Sequence, residues 1–241
     1  MKRGVRGVLA TVVAISIAAL CVRLGVWQLD RLEQRRALNA AVRASQARPP
    51  VPLDAAAFAA ASADAEAWEW RAVEAAGTYR HAGDMVLRAR AQGGRPGVHL
   101  VSPLVLSDGR VVMVNRGWVP APDGATADIR PLRTAGPVRV RGVLRAMEAS
   151  PDRGLPAAGR AGRDTSWRRV DLAVARARAG GAVLPLVLQQ LPSPADPPDP
   201  PHPEPLPALS EGNHLSYAVQ WFSFAVIALA GLVLLLRRNP R

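Results

Sequence analysis

The sequence predicts a membrane α+β protein. Two transmembrane helices, one N-terminal and one C-terminal, flank a β-rich extracytoplasmic domain built on a mostly antiparallel, barrel-like sheet. Three observations carry this reading. Uncharged apolar runs of about membrane thickness lie near both ends of the 241 residues. Between them, β-branched and alternating stretches separated by Gly and Pro turns outnumber helical patterns. The charge is also unevenly spread. Of 31 basic residues, seven (Lys2, Arg3, Arg6, Arg23, Arg237, Arg238 and Arg241) lie in or beside the terminal runs. The formal net charge of +12 therefore falls to +5 for the middle, which keeps 24 basic and 19 acidic residues. No nucleic-acid partner is expected from so small a balance. With 49% hydrophobic and 21% charged residues, a fully disordered chain is excluded.

The first span is expected over residues 7–29. Gly7 to Val22 carries no charge, and after Arg23 the apolar run extends to Trp27. That is about 20 residues, or about 30 Å of helix. The run is long and no A-x-A site follows it, which favours a retained anchor over a cleaved signal peptide. The second span is expected over 213–236, where Leu215 to Leu236 gives 22 uncharged residues. Arg237, Arg238 and Arg241 follow at once, so this end is expected to be cytoplasmic. Two spans then put both termini in the cytoplasm and residues 30–213 outside, as a multi-pass protein of a plasma (inner) membrane with a periplasmic middle. The short cytoplasmic tails leave no output domain for a receptor, and two helices are too few for a transport path.

In the outer domain (30–190), residues 28–48 should continue the first helix until Pro49, Pro50 and Pro52 stop it. Asp54 is placed to cap a short helix over 55–62. Strands follow at 71–79 and 85–89, with a turn or loop over 92–97. Val98 to Leu106 and Arg110 to Val119 flank Ser107-Asp108-Gly109, a hairpin signal. Val111 to Val114 is apolar on both faces, as in a central strand. Residues 138–144 alternate, with Arg139 and Arg141 facing water. Residues 150–164 read as an exposed loop. Asp171 should cap a helix over 172–179, and a strand weakened by Pro185 closes the domain at 183–190. The segment 191–207 holds nine of the 22 prolines and reads as a stiff tether, reaching 212, back to the membrane.

Chemistry is sparse. The single Cys21 allows no intrachain disulfide, no CxxC redox or copper-carrying pair and no CxxCH heme attachment. His81 and His99 read as ordinary surface residues and His202 as solvated in the tether. Glu66 and Glu69 read as a charged face. No HExxH, G-x-S-x-G or phosphate loop is present, so no enzyme and no catalytic residue is expected. The informative group opens the second membrane helix. Asn213 is a natural N-cap, and His214, Tyr217 and Trp221 follow at i, i+3 and i+7. His214 either snorkels or caps without a ligand, or offers an axial imidazole to a porphyrin lying along the interface. On the first helix, Gly25, Trp27, Gln28, Arg31 and Arg35 form either a basic interfacial collar or a partner for propionates. A third motif, Asn115 to Pro120 with Arg116, Gly117 and Trp118, ends the central strand as a contact site or as a buried arginine packed on an indole.

Taken in order, these motifs resemble the Surf (surfeit locus protein 1) family of cytochrome oxidase assembly proteins. The resemblance rests on Leu24 to Arg31, on Gly77-Thr78-Tyr79 and on Gly97 to Leu104. It continues at Val114 to Pro120 and at Asn213 to Phe222. Segments 50–70 and 145–210 carry none of it. The resemblance implies a role in maturing heme-copper oxidases, by supplying or holding heme a for the catalytic subunit. It implies His214 as ligand to the heme iron, with Tyr217, Trp221 and Arg116 at matching motif positions alongside Gly77 and Gly117. The implied partners are heme-copper oxidase subunits, a heme a synthase and the lipid bilayer. Two alternatives stay open at this point: a scaffold that binds the oxidase without heme, and an extracytoplasmic hydrolase.

Overall fold

A computed structural model describes residues 2–147, 155–156 and 165–238. Apart from Leu155–Pro156, the loop expected over 150–164 lies outside the described residues, as does Arg241. The chain divides into two compact units, residues 1–43 with 208–241, and residues 44–207.

The first unit is a helix pair. Helix α1 runs Lys2–Gln46 and helix α5 runs His214–Arg238. Proline at 49 and 50 follows the end of α1, since a proline-free run is needed to continue the ladder. Both helices are long and apolar enough to cross a membrane. They meet through small residues. Ala18, Cys21 and Ala225 are buried together, with Trp221 and Ala228 packed against them. Small side chains let two backbones approach closely. The faces away from this seam expose large apolar side chains, among them Val8, Val12, Ile15, Val226 and Ile227.

The second unit is a barrel. In chain order it contains β1 (Val51–Pro52), α2 (Ala55–Ala63), α3 (Ala65–Trp68), β2 (Ala72–Tyr79), β3 (Met85–Gln92), β4 (Arg95–Leu106) and β5 (Val111–Pro120). Then come β6 (Pro137–Ala146), β7 (Leu155–Pro156), β8 (Thr165–Trp167), α4 (Leu172–Ala179) and β9 (Val183–Gln190). The helix caps expected from sequence form. Asp54 accepts from Ala57 N at 2.9 Å and Asp171 from Val174 N at 2.9 Å. The sheet order is β1-β2-β6-β9-β5-β4-β3-β8-β7, and β2 also pairs with β4. That extra pairing closes β2, β6, β9, β5 and β4 into a ring. Antiparallel pairs dominate, while β5–β9, β1–β2 and β3–β8 are parallel.

Strand β5 shows why its apolar run has no polar face. Val112 and Val114 join Val73, Leu104, Leu184 and Leu188 in one core, closed by Phe58 and Ala61 of α2. Val111 and Met113 join Ala175 and Ala179 of α4 in a second core on the opposite face. Pro185 fits inside β9 because β9 and β5 lose register between Val183 and Val187, so no ladder donor is demanded there. The 92–97 region is tighter than expected. Gly93 and Gly94 make a two-residue turn with φ of 56° and 77°, and β3 and β4 run up to it on both sides.

Ring closure sets a steric demand at Gly77, which pairs with Leu106. A Cβ there would lie 2.2 Å from the Val105 carbonyl oxygen. Gly77→Ala should therefore lower the unfolding midpoint of the detergent-solubilised protein, by about 1–3 kcal/mol of stability. Gly231→Ala, whose Cβ would meet nothing within 4 Å, should leave the midpoint in place. Equal midpoints for the two variants would show that β2 and β4 do not need this close approach.

Candidate functional site

In the helix pair, the stripe of α5 turned towards α1 includes His214, Ala218, Trp221, Phe222 and Ala225. Ala218 and Ala225 are buried, and His214 and Trp221 are half-buried. Tyr217, expected on the same face, is 49% exposed and lies outside the stripe. Trp221 meets Phe224 edge-on at 5.9 Å. Asn213 precedes the helix, and its carbonyl accepts from Tyr217 N at 3.0 Å.

His214 makes one side-chain hydrogen bond, from Nδ1 to Gln28 Oε1 at 2.8 Å. One turn before Gln28, Gly25 faces the Phe222 ring so closely that a Cβ would lie 2.6 Å from it. The chain just before α5 is held to α1 as well. Buried Asn39 donates Nδ2 to the Ser210 carbonyl at 3.2 Å, and Arg36 pairs with Glu211 at 2.9 Å. The ion pair is exposed and screened by solvent and salt, so the buried Asn39 contact is the firmer tie. Arg31 lies 5.6 Å over the Trp27 ring and donates to Gln34 at 2.9 Å. Among the described residues, no three His, Cys, Asp or Glu side chains converge to hold a metal ion.

Arg116 belongs to the β unit, and all its named contacts lie within that unit. The β4–β5 register slips between Leu100 and Val101, whose partners are Gly117 and Asn115. Arg116 is thus the extra residue of a β-bulge, a device that re-aims a side chain. Its guanidinium lies 4.6 Å over the Tyr79 ring and donates to Thr134 Oγ1 at 2.9 Å. Only 6% of Arg116 is exposed, so it is a buried arginine on an aromatic ring, though the ring is Tyr79 and not Trp118. Burial pushes the Tyr79 phenol up to about 12, with the Arg116 charge opposing and Asp84 adding. Burial also lowers Arg116 from its ordinary value. Beside it, His81 Nδ1 contacts Asp84 Oδ2 at 3.0 Å and Nε2 contacts the Thr134 carbonyl at 2.9 Å. His81 is therefore part of a buried polar cluster and not an ordinary surface residue. The His81-x-x-Asp84 spacing after Tyr79 is the sequence signal for it.

The proline segment is tied to the barrel in its second half. His202 and Trp118 exchange two backbone hydrogen bonds of 2.8 Å, and their rings stack at 6.2 Å. His202 is half-buried there, where a solvated side chain was expected. Gly117, with φ of 116°, lies under this contact, and a Cβ would come within 2.1 Å of the His202 carbonyl oxygen. In an extended segment neighbours point to opposite edges, so Pro201 and Pro203 face away and offer no N–H to another strand. A side-chain chain adds a latch. Asn115 Oδ1 accepts from Gly117 N at 3.1 Å, and Asn115 Nδ2 lies 3.2 Å from His99 Nδ1. His99 Nε2 meets the Glu204 carboxylate at 3.0 Å. With Asn115 donating to Nδ1, the neutral imidazole donates Nε2–H to Glu204.

Burial, reinforced by the Arg90 charge, pushes His99 down to about 4, while burial raises Glu204. The unfolded chain therefore takes up a proton at His99 from about pH 6.5 downwards and the folded one does not. Stability should fall as pH drops from about 6.5 to 4, by up to about 1.4 kcal/mol per unit from this group. Glu204 acts in the opposite direction just above its ordinary range. Thermal midpoints of His99→Gln and parent, taken between pH 7 and 4.5, should converge as pH falls. Parallel curves would mean that His99 is protonated in the folded protein.

The SURF1 family model matches residues 15–226. A SURF1-like protein of Monosiga brevicollis is 26% identical over 240 aligned residues, covering 93% of this chain and 87% of the relative. An uncharacterized SURF1-like protein of Mycobacterium bovis is 28% identical, over 91% of this chain and 79% of its own. The cytochrome oxidase assembly protein SHY1 of Saccharomyces cerevisiae is 32% identical over 97 residues, 40% of this chain and 24% of its own. With a match across both terminal helices and the barrel between them, the chain belongs to the SURF1 family.

Proposed function

We propose that this chain is a membrane-bound, non-enzymatic assembly factor for a heme-copper cytochrome c oxidase. In this reading it holds heme a through His214 for insertion into the catalytic subunit. The assembly role is supported by the family and by the yeast relative, whose name carries it. Membrane insertion is supported by the exposed faces of the helix pair. Val8 and Val226 are each 66% exposed, an arrangement that costs free energy in water and none in lipid. Arginine at 237 and 238 supports a cytoplasmic location for that end by the positive-inside rule, and with two spans this reading has the barrel on the periplasmic side of an inner membrane. His214, at the opposite end of α5, then lies where lipid meets water.

The heme reading is carried by one observation. His214 Nδ1 is engaged by Gln28, and Nε2 has no hydrogen-bond partner among the described residues. A lone imidazole is a poor chelator by itself. It suits a group that brings its own equatorial donors, and a porphyrin supplies four nitrogens around an iron whose axial positions remain for protein ligands. The exposed Tyr217 and Trp27 beside it give amphipathic ring surface at the same level. The residues present therefore fit the group. A non-enzymatic role is supported by the other three imidazoles, which face Asp84 and Thr134, Asn115 and Glu204, and the Trp118 indole.

Heme a added to the full-length protein in detergent should give a Soret band that His214→Ala abolishes. In a strain lacking the parent, His214→Ala should restore less oxidase heme than the parent gene does. An unchanged Soret band in His214→Ala would remove His214 as ligand. Full oxidase heme with that variant, and oxidase subunits still co-purifying, would put a scaffold in the place of a heme carrier.

A further inference from the structure

We infer that Gln28 is the positioning residue for His214, fixing its tautomer and its ring orientation so that the lone pair stays on Nε2. The inference deepens the heme reading and rests on it for its ligand, but the tautomer itself does not require heme. A neutral imidazole carries one N–H and one lone pair, and the hydrogen bond made at one nitrogen decides which is which. Here Gln28 Oε1 is an acceptor 2.8 Å from Nδ1, so Nδ1 bears the hydrogen and Nε2 is left basic. The turn at Gly212 lies against the opposite edge of the ring, where a Cβ would come 3.4 Å from His214 Cδ2.

Gln28 is itself held in place. It follows Gly25 by one turn, where the absence of a side chain lets the Phe222 ring seat against α1. Beyond it, Asn39 and Arg36 hold Ser210 and Glu211, four and three residues before His214. The helix pair therefore fixes His214 from below, beside and above. The neutrality of the partner also has a consequence. A carboxylate in this place would draw the Nδ1 proton strongly and make Nε2 a more basic, tighter ligand. An amide orients the ring and strengthens it little, which suits a protein that must give its ligand up.

The test uses the full-length chain in detergent micelles, labelled with ¹⁵N-histidine, with His214→Ala identifying the signal. Without heme, the parent should show His214 as a single Nδ1–H tautomer, and Gln28→Leu should show exchange between both tautomers. Titration with heme a should give binding about 10–100-fold weaker in Gln28→Leu. Gln28→Glu should bind tighter than the parent, with a higher iron–imidazole stretching frequency. Gly25→Leu, which forces the helices apart without touching either polar group, should release the tautomer as Gln28→Leu does. An Nε2–H tautomer in the parent would mean that Gln28 donates through Nε2 and would overturn the inference. An unchanged tautomer in Gln28→Leu would do the same. If His214→Ala leaves heme binding intact while the tautomer responds to Gln28, the ligand reading falls and positioning stands. If His214→Ala abolishes binding while both Gln28 variants bind with the parent's affinity and stretching frequency, positioning falls and the ligand reading stands.

Discussion

The bond from His214 to Gln28 joins side chains 186 positions apart, and the function proposed for the helix pair depends on it. Neither helix presents a built site alone. Helix α5 places an imidazole at its first residue, and helix α1 places an amide immediately past the end of its apolar run. Only when the small residues Ala18, Cys21 and Ala225 bring the backbones together does the amide reach the ring. Packing of small residues, which in lipid replaces the hydrophobic effect as the source of helix association, is thus also what orients the one polar contact at the seam. Stability and site geometry come from the same close approach.

The barrel solves a different problem with similar means. Its ring closes where β4, long enough to serve two partners, leaves β3 and takes up β2 at Leu104 to Leu106. Closure removes sheet edges, and the one place where β5 outruns β9 is covered by the proline segment at His202. The bulge at Arg116 is the joint between these features. It turns the guanidinium onto Tyr79 and leaves Gly117 in a left-handed conformation, where the His202 carbonyl can approach. One inserted residue therefore sets both a buried cation and the docking of a distant segment.

Much of this was legible in the sequence, for local reasons. The caps at Asp54 and Asp171, the hairpin at Asp108-Gly109 and the two-faced run at Val111 to Val114 each follow from residues close in the chain. What stayed hidden depends on long-range partners. His81 and His99 look unremarkable among their neighbours, and only the fold brings Thr134 to one and Glu204 to the other. The proline segment reads as a spacer because alternating prolines deny it a regular ladder, yet one residue with an N–H, His202, is enough to fasten it. The i, i+3 spacing links Tyr217 to His214 within one helix, but the exposure of each residue depends on the partner helix, and Tyr217 is 49% exposed while Ala218 is buried.

Under the proposed function, a group that must release its ligand has to be oriented without being made too strong. Burial would orient it, but at the cost of access, and a charged neighbour would orient it while deepening the trap. The helix pair takes a third course. His214 is only half-buried, its partner is a neutral amide, and the rigidity comes from the backbones, through Gly25 against Phe222 and Asn39 on Ser210. Order is supplied by the scaffold and not by the strength of the bond to the ring. The helix unit's ion pair, Arg36–Glu211, lies before α5 and ties that stretch of chain to α1.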